Sequence, residues 1–338
     1  MPDNTIGQVL DRILDDIAQA MNGSVDRMAD LERRVRELEA RPSSPIQLPP
    51  PAPQPSPQPP PPQEPVVPAP TPILNPVRQP VTNYSTEEAT NVRSGAYVKV
   101  RETARAGNIP ITHMNDVIID IDGHVESIWI ADSRRVHIRG RGTVGTITVS
   151  EYASGRAGHR NEDIAVESVR CVTDRTAMDI QHATNVYVTK VEALAIRNYA
   201  IWMSDCSNAT VTYNNFATQG DESCVRLVNV RSARIVANDL LSRAKHCFRV
   251  HGISSEINFM SNTVVGPRGM MLGTMPSDAL TNINVTDNRI VNASVQSLGV
   301  PVNTPAALRG FVFRGNTLDN SVDELSSYQG VPTWIIER

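Results

Sequence analysis

A chain of 338 residues with 40% hydrophobic content can bury a large core, and a net charge of −4 with scattered basic residues excludes a nucleic-acid footprint. Four cysteines, Cys171, Cys206, Cys224 and Cys247, lack CxxC spacing, which excludes a zinc knuckle and a redox motif. No apolar run approaches a membrane span and no charged, apolar leader precedes the first element, so the expectation is synthesis in the cytoplasm without a signal peptide and no membrane insertion.

Residues 1–41 place Ile6, Leu10, Ile13 and Ile17, then Met28, Leu31, Val35 and Leu38, at spacings of three and four. Charged residues flank this seam, which predicts a short α-helical coiled coil for oligomerisation or anchoring. The eleven-residue step from Ile17 to Met28 interrupts the register at Asn22-Gly23. Neither half is long enough to be stable alone, so self-association is expected, with the number of strands left open by the mixed seam. An amphipathic helix packing on another protein is the alternative.

Residues 42–82 hold 18 of the 25 prolines. Such a stretch forms neither helix nor central strand and favours an extended polyproline II spacer of roughly 3 Å per residue, on the order of 100 Å in all.

Residues 83–338 carry a repeat. Asn214, Asn238, Asn262, Asn288 and Asn316 follow one another at steps of 24, 24, 26 and 28. Each has an apolar residue three places before it (Val211, Ile235, Phe259, Val285, Phe313) and another two places after (Phe216, Leu240, Val264, Ile290, Leu318). A second alignment runs through Ala177-Met-Asp-Ile180, Ala200-Ile-Trp-Met203, Cys224-Val-Arg-Leu227 and Cys247-Phe-Arg-Val250 at offsets of 23, 24 and 23. This period, carried by short strands, predicts an all-β solenoid of roughly eight or nine stacked coils with parallel sheets. Stacked turn asparagines can hydrogen-bond one another and the turn backbone.

The pattern resembles the right-handed parallel β-helix of the pectin-lyase-like superfamily. Asp116-Val-Ile-Ile-Asp-Ile-Asp-Gly-His124 is similar to a first coil of that fold and Val136-His-Ile-Arg-Gly-Arg-Gly142 to a second. The match covers about two thirds of the chain and is specific for fold, not activity, because the superfamily includes lyases, hydrolases, isomerases, surface proteins and phage tailspikes. With its helical segment and proline arm the whole resembles a short phage spike or fibre. That resemblance implies a virion-surface homo-oligomer, a trimer, held to the particle through residues 1–41 and binding host surface polysaccharide. A polysaccharide lyase or glycoside hydrolase on the same scaffold is the alternative, and a particle protein without ligand a second. No catalytic motif of the superfamily matches residue by residue, and no cofactor or metal is expected.

If Met178, Ile180, Ile201, Met203, Val225, Leu227, Phe248 and Val250 point inward, alternation sends their neighbours outward. One outward row is then Asp179, Trp202, Arg226 and Arg249, and the next Gln181, Ser204, Val228 and His251. An exposed Trp202 could stack on a sugar ring while Arg226 and Arg249 hold a carboxylate, which makes Asp179, Trp202, Arg226, Arg249 and His251 the expected carbohydrate-binding residues. A solvated face with surface ion pairs, such as Asp179 with Arg226, is the plainer reading. Hydrolysis would need paired carboxylates. Asp179 and Asp205 are candidates at about 8 Å, within inverting range, although Asp205 begins a turn where its direction is not readable. Asp221-Glu222 reads as a solvated turn.

Cys224 and Cys247 take equivalent inward positions, where a disulfide is conceivable and buried thiols are the preferred reading. His113, His124, His137 and His246 share no row, so structural roles are expected. The insertion at residues 152–160 lengthens one coil. After Asn320 the period is lost, and Trp334, Ile335 and Ile336 are candidates to cap the last coil.

Overall fold

The computed structural model describes residues 82–83, 92–151, 161–273, 277–299, 308–323 and 334–337. Contacts divide the chain into Met1–Val66 and Val67–Arg338, and all described residues lie in the second unit. The heptad segment, the proline arm before Thr82 and the 152–160 insertion lie outside them.

Strands of two to eight residues, with inward Ile, Val and Leu alternating with polar residues, wind into a right-handed parallel β-helix. The first face stacks Tyr97–Val100, Asn115–Ile121, Arg134–Gly140, Asn161–Glu167, Ala183–Thr189, Ser207–Thr212, Arg231–Val236, Ile253–Met260, Ala279–Thr286 and Phe311–Arg314 in parallel. The early coils return on one long strand each: Arg105–Thr112, His124–Ala131 and Thr143–Ser150. At Thr143–Ser150 the sheet forks. Its start pairs with Arg170–Thr173 and its end with Met178–Gln181, and every later coil carries a second and a third face. The extra corner accounts for the lengthening of the repeat from 19 residues (Ile118 to His137) to 23 or 24 between Tyr187 and Asn258.

The expected register is realised. Met178, Ile180, Ile201, Met203, Val225, Leu227, Phe248 and Val250 are all fully buried, as are Phe216, Phe259, Phe311 and Phe313, with Phe248 stacked on Phe259 at 4.2 Å. Each such side chain contributes about 1.5–3 kcal/mol by leaving water. All five phenylalanines therefore go to the interior, leaving only tryptophan and tyrosine for the aromatic part of the surface.

The asparagines line the corner between the first and second faces. There Tyr213, Ala237, Ser261 and Asp287 adopt φ of 54–58° and Gly315 64°, turning the chain so that the next side chain points inward. Asn214, Asn238, Asn262 and Asn288 are no more than 2% exposed. Each Nδ2 donates to Oδ1 of the next asparagine at 2.8–3.0 Å and to a backbone carbonyl of the coil before, and each Oδ1 also accepts a backbone N–H. In the earlier coils Val169 and Val191 fill this corner, and Val191 N–H donates to Asn214 Oδ1 at 2.9 Å.

The four cysteines are free and buried, which leaves the buried-thiol reading standing. Cys224 and Cys247 donate to the carbonyls of Leu241 and Val265 at 2.7 and 3.2 Å. At the C-terminal end Trp334–Glu337 adds a parallel strand to Phe311–Arg314, and Ile336 packs on the core.

Candidate functional site

The outward rows of the third face follow the expected alignment. Asp179 pairs with Trp202, Trp202 with Arg226 and Arg226 with Arg249, while Gln181, Ser204, Val228 and His251 form the next row. The pairing carries the first row further, through Thr148 to Trp129 on one side and to Met271 on the other. Trp129 lies on a long strand between the buried Ile128 and Ile130. The alignment of the short strands missed it, because that alignment began at Ala177. Five strand spacings separate Trp129 from Arg249, about 24 Å.

The row is not the flat exposed surface that alternation alone predicts. Two successive turns between the second and third faces fold over it and bring in Tyr199 and Glu222. Gly220 allows this stacking: a Cβ there would stand 2.1 Å from the carbonyl oxygen of Arg197 in the turn before. Tyr199 is 6% exposed and lies 5.7 Å from the Trp202 ring, tilted by 48°. The Arg226 guanidinium sits 5.3 Å from the centre of the Tyr199 ring and 5.7 Å from that of Trp202, and its Nη1 donates to the Tyr199 hydroxyl. Arg249 Nη1 lies 3.6 Å from Glu222 Oε2, so Glu222 is an ion-pair partner and not merely a solvated turn residue. Trp202 is half-buried rather than exposed, because Tyr199 and Arg226 pack on it.

Arg226 therefore engages Tyr199, with Trp202 standing between it and Asp179 in the register, and the expected Asp179–Arg226 ion pair is replaced by this cation–aromatic stack. Asp179 accepts from Gln181 Nε2 at 2.9 Å. Burial pushes its carboxyl above the ordinary range, against the opposing effect of that amide. Asp205 lies at the exposed corner after the third face, at φ 52°, where it accepts from Asn229 Nδ2 at 3.0 Å. Its left-handed φ and its bond to Asn229 set it in the turn, three positions beyond Trp202, the residue that pairs with Asp179.

Three N–H groups on successive coils are closed off from solvent without a hydrogen-bond partner among the described residues: Trp202 Nε1, Arg226 Nε and Arg249 Nε. Buried donors are ordinarily satisfied, so three in register mark an incomplete environment. Burial lowers the Arg249 pKa first and the neighbouring Arg226 charge lowers it further, which an added anion would offset.

His251 and His246 come from the same strand and are each 5% exposed. Sequence reading placed His246 apart from any site. The five-residue separation on one strand, and the pairing that brings Gln296 within 2.9 Å of its Nε2, put it beside the arginines. Desolvation, followed for His251 by the charges of Arg249 and Arg226, lowers both to a pKa of about 4; Gln296 opposes the shift at His246 and Asp278, 3.9 Å from His251 Nδ1, opposes it at His251. Arg268 and Lys245 add to the shift at His246. In the unfolded chain both histidines take up protons near pH 6.5, so between that pH and about 4 the unfolded state binds more protons. Stability is expected to fall as pH drops through this window. Urea titrations from pH 7 to 4 should show it, with a flatter profile in His246→Gln and His251→Gln; equal slopes in wild type and variants would refute the assignment.

The other described histidines have separate neighbours: His124 with Thr143, His137 with Glu167, His113 with Asp132 and His182 with Glu151. No group of three or more His, Cys, Asp or Glu side chains that could hold a metal occurs among the described residues.

No protein-family model matches the chain, and no curated protein does. Some solved structures are similar to it. The likeness is one of architecture alone. The Dettilon tailspike protein is 9% identical over 67% of this chain and 60% of its own, with a TM-score of 0.44. A tailspike mutant of E. coli bacteriophage HK620, in complex with a pentasaccharide, is 10% identical over 68% and 57%, also at 0.44. A PL6 alginate lyase in complex with a trisaccharide is 11% identical over 72% and 59%, at 0.41. The chain thus spans less than two thirds of each of these proteins.

Proposed function

We propose that this chain is the receptor-binding part of a virion spike or fibre and that its third face binds an acidic host surface polysaccharide. The observation that carries the reading is the row itself, in which the half-buried Trp202 ring lies against the Arg226 guanidinium and Arg249 follows on the next coil. A uronate or similar acidic sugar suits such a row. Its carboxylate and hydroxyl oxygens accept N–H bonds, and its ring faces lie on aromatic surface. Trp129 extends the platform along the row, which suits a polymer better than a single ring. In this reading residues 1–41 join copies of the chain, as a trimer, and attach them to the particle.

A depolymerase is the second reading. It is favoured by the raised carboxyl of Asp179 and by two histidines that stay neutral above about pH 4, groups capable of proton transfer beside a bound sugar. The test is incubation with a panel of acidic capsular polysaccharides and lipopolysaccharides. Retention without cleavage supports the adhesin. New reducing ends or unsaturated sugars support the depolymerase, and binding to no glycan overturns both.

A further inference from the structure

We propose that the second face is the surface on which copies of this chain pack side by side in parallel. Its outward positions Val172, Leu194, Ala217, Leu241, Val265 and Val291 stand in register on six successive coils. They make an aliphatic ridge about 24 Å long, parallel to the solenoid axis. Val172 and Leu241 are 42% and 43% exposed, so none of the described residues covers the ridge at those points. Corresponding outward rows elsewhere are mixed, with Asp179, Trp202, Arg226, Arg249 and Met271 on the third face and Tyr187, Thr210, Arg234, Asn258, Asn284 and Val312 on the first. The ridge ends at Asp319, which pairs with Arg289 at 2.6 Å. Beside it runs a polar row that includes the ion pair of Arg170 and Glu192. An apolar line flanked by charge has the composition of an interface core and its rim.

The occupant that fits is a second copy of the same chain. A straight ridge with one side chain per coil is complemented along its full length by another ridge of the same pitch and direction, which a parallel copy presents. The area limits what this contact can do alone. A strip of 24 Å by roughly 10 Å is on the order of 240 Å² per copy, against about 800 Å² per partner in a stable interface. The ridge cannot hold copies together unaided, so another part of the chain has to keep them close. The heptad pattern of residues 1–41 is suited to that task, and a tether of the linker's length raises the local concentration enough for a weak contact to form. The inference rests on the self-association proposed above and is independent of what the third face binds.

The test uses the full chain carrying Ala217→Cys, mildly oxidised and run on non-reducing gels. The native cysteines are at most 2% exposed and stay silent. Most chains are expected to cross-link between copies. Thr210→Cys on the first face should give no such product, and adding Leu241→Glu should cut the Ala217→Cys product about tenfold, since a carboxylate would be desolvated in the contact. Equal cross-linking at positions 210 and 217, or no effect of Leu241→Glu, overturns the proposal. Sedimentation of the same samples separates the two ideas. An oligomer without cross-link at 217 refutes the face and leaves self-association standing, whereas a monomer refutes both.

Discussion

Replacing Asn262 by leucine is expected to destabilise the solenoid by roughly 3 kcal/mol. Asn262 Oδ1 accepts the backbone N–H and the Nδ2–H of Asn238, both at 2.9 Å. Leucine fills the space but leaves the Asn238 backbone N–H without an acceptor in a corner closed to water, at about 1–3 kcal/mol, and takes one acceptor from Asn238 Nδ2, which keeps the carbonyls of Val211 and Val236. The lost bonds from Asn262 Nδ2 to Ile235 O and Asn288 Oδ1 matter less, because an unmet acceptor is more easily tolerated than an unmet donor. Position within the column decides the magnitude. Asn316 ends the ladder and is partly exposed, so in Asn316→Leu water can reach the freed groups of Asn288, and the loss should be about 1–2 kcal/mol. Urea unfolding of the two variants checks the argument. A loss below about 1 kcal/mol at Asn262, or equal losses at both positions, would show that the ladder is not what holds this corner.

The solenoid was legible because a coil repeats its physical requirements. An inward residue must be apolar on every turn and a buried corner amide needs an amide above and below it, so period and alternation recovered both the strand register and the asparagine column. The same alternation gave the row Asp179, Trp202, Arg226, Arg249 correctly. What it could not give was the cover over that row. Tyr199 and Glu222 come from turns, whose path depends on close approaches such as Gly220 against Arg197 and carries no period. Trp129 was hidden for a different reason: the early coils have one long strand where later ones have two, and a 23-residue alignment does not cross the fork. Asp205 illustrates the limit on pairing carboxylates by offset. Its left-handed φ of 52° sets it in the turn beyond the strand. The aliphatic ridge was legible in principle, since Val172, Leu194, Leu241, Val265 and Val291 also keep the period. It is inconspicuous because apolar residues in a strand read first as core.

Arg249→Ala is expected to weaken binding of the acidic polysaccharide by about 30-fold or more, corresponding to truncation of one buried charged partner. Arg249 is the suitable residue because its Nη1 lies 3.6 Å from Glu222, a distance long enough to leave the guanidinium available. Trp202→Ala should cost about tenfold, the value of one stacking surface. Arg249→Lys keeps the charge but loses the planar fork, and should fall between wild type and alanine. Asp179→Asn removes a carboxylate whose pKa burial has raised and which would repel an acidic ligand; its affinity should equal or exceed that of wild type and respond less to pH. Arg170→Ala on the second face, already paired with Glu192, serves as the control and should bind normally. Because Arg249 and Trp202 pack against Tyr199 or Glu222, each variant needs an unfolding midpoint beside its binding constant. An Arg249→Ala protein that remains folded and binds within twofold of wild type would remove the third face as the recognition surface. Loss of binding at Arg249 and Trp202 with retention at Arg170 would fix recognition to the row that begins at Trp129.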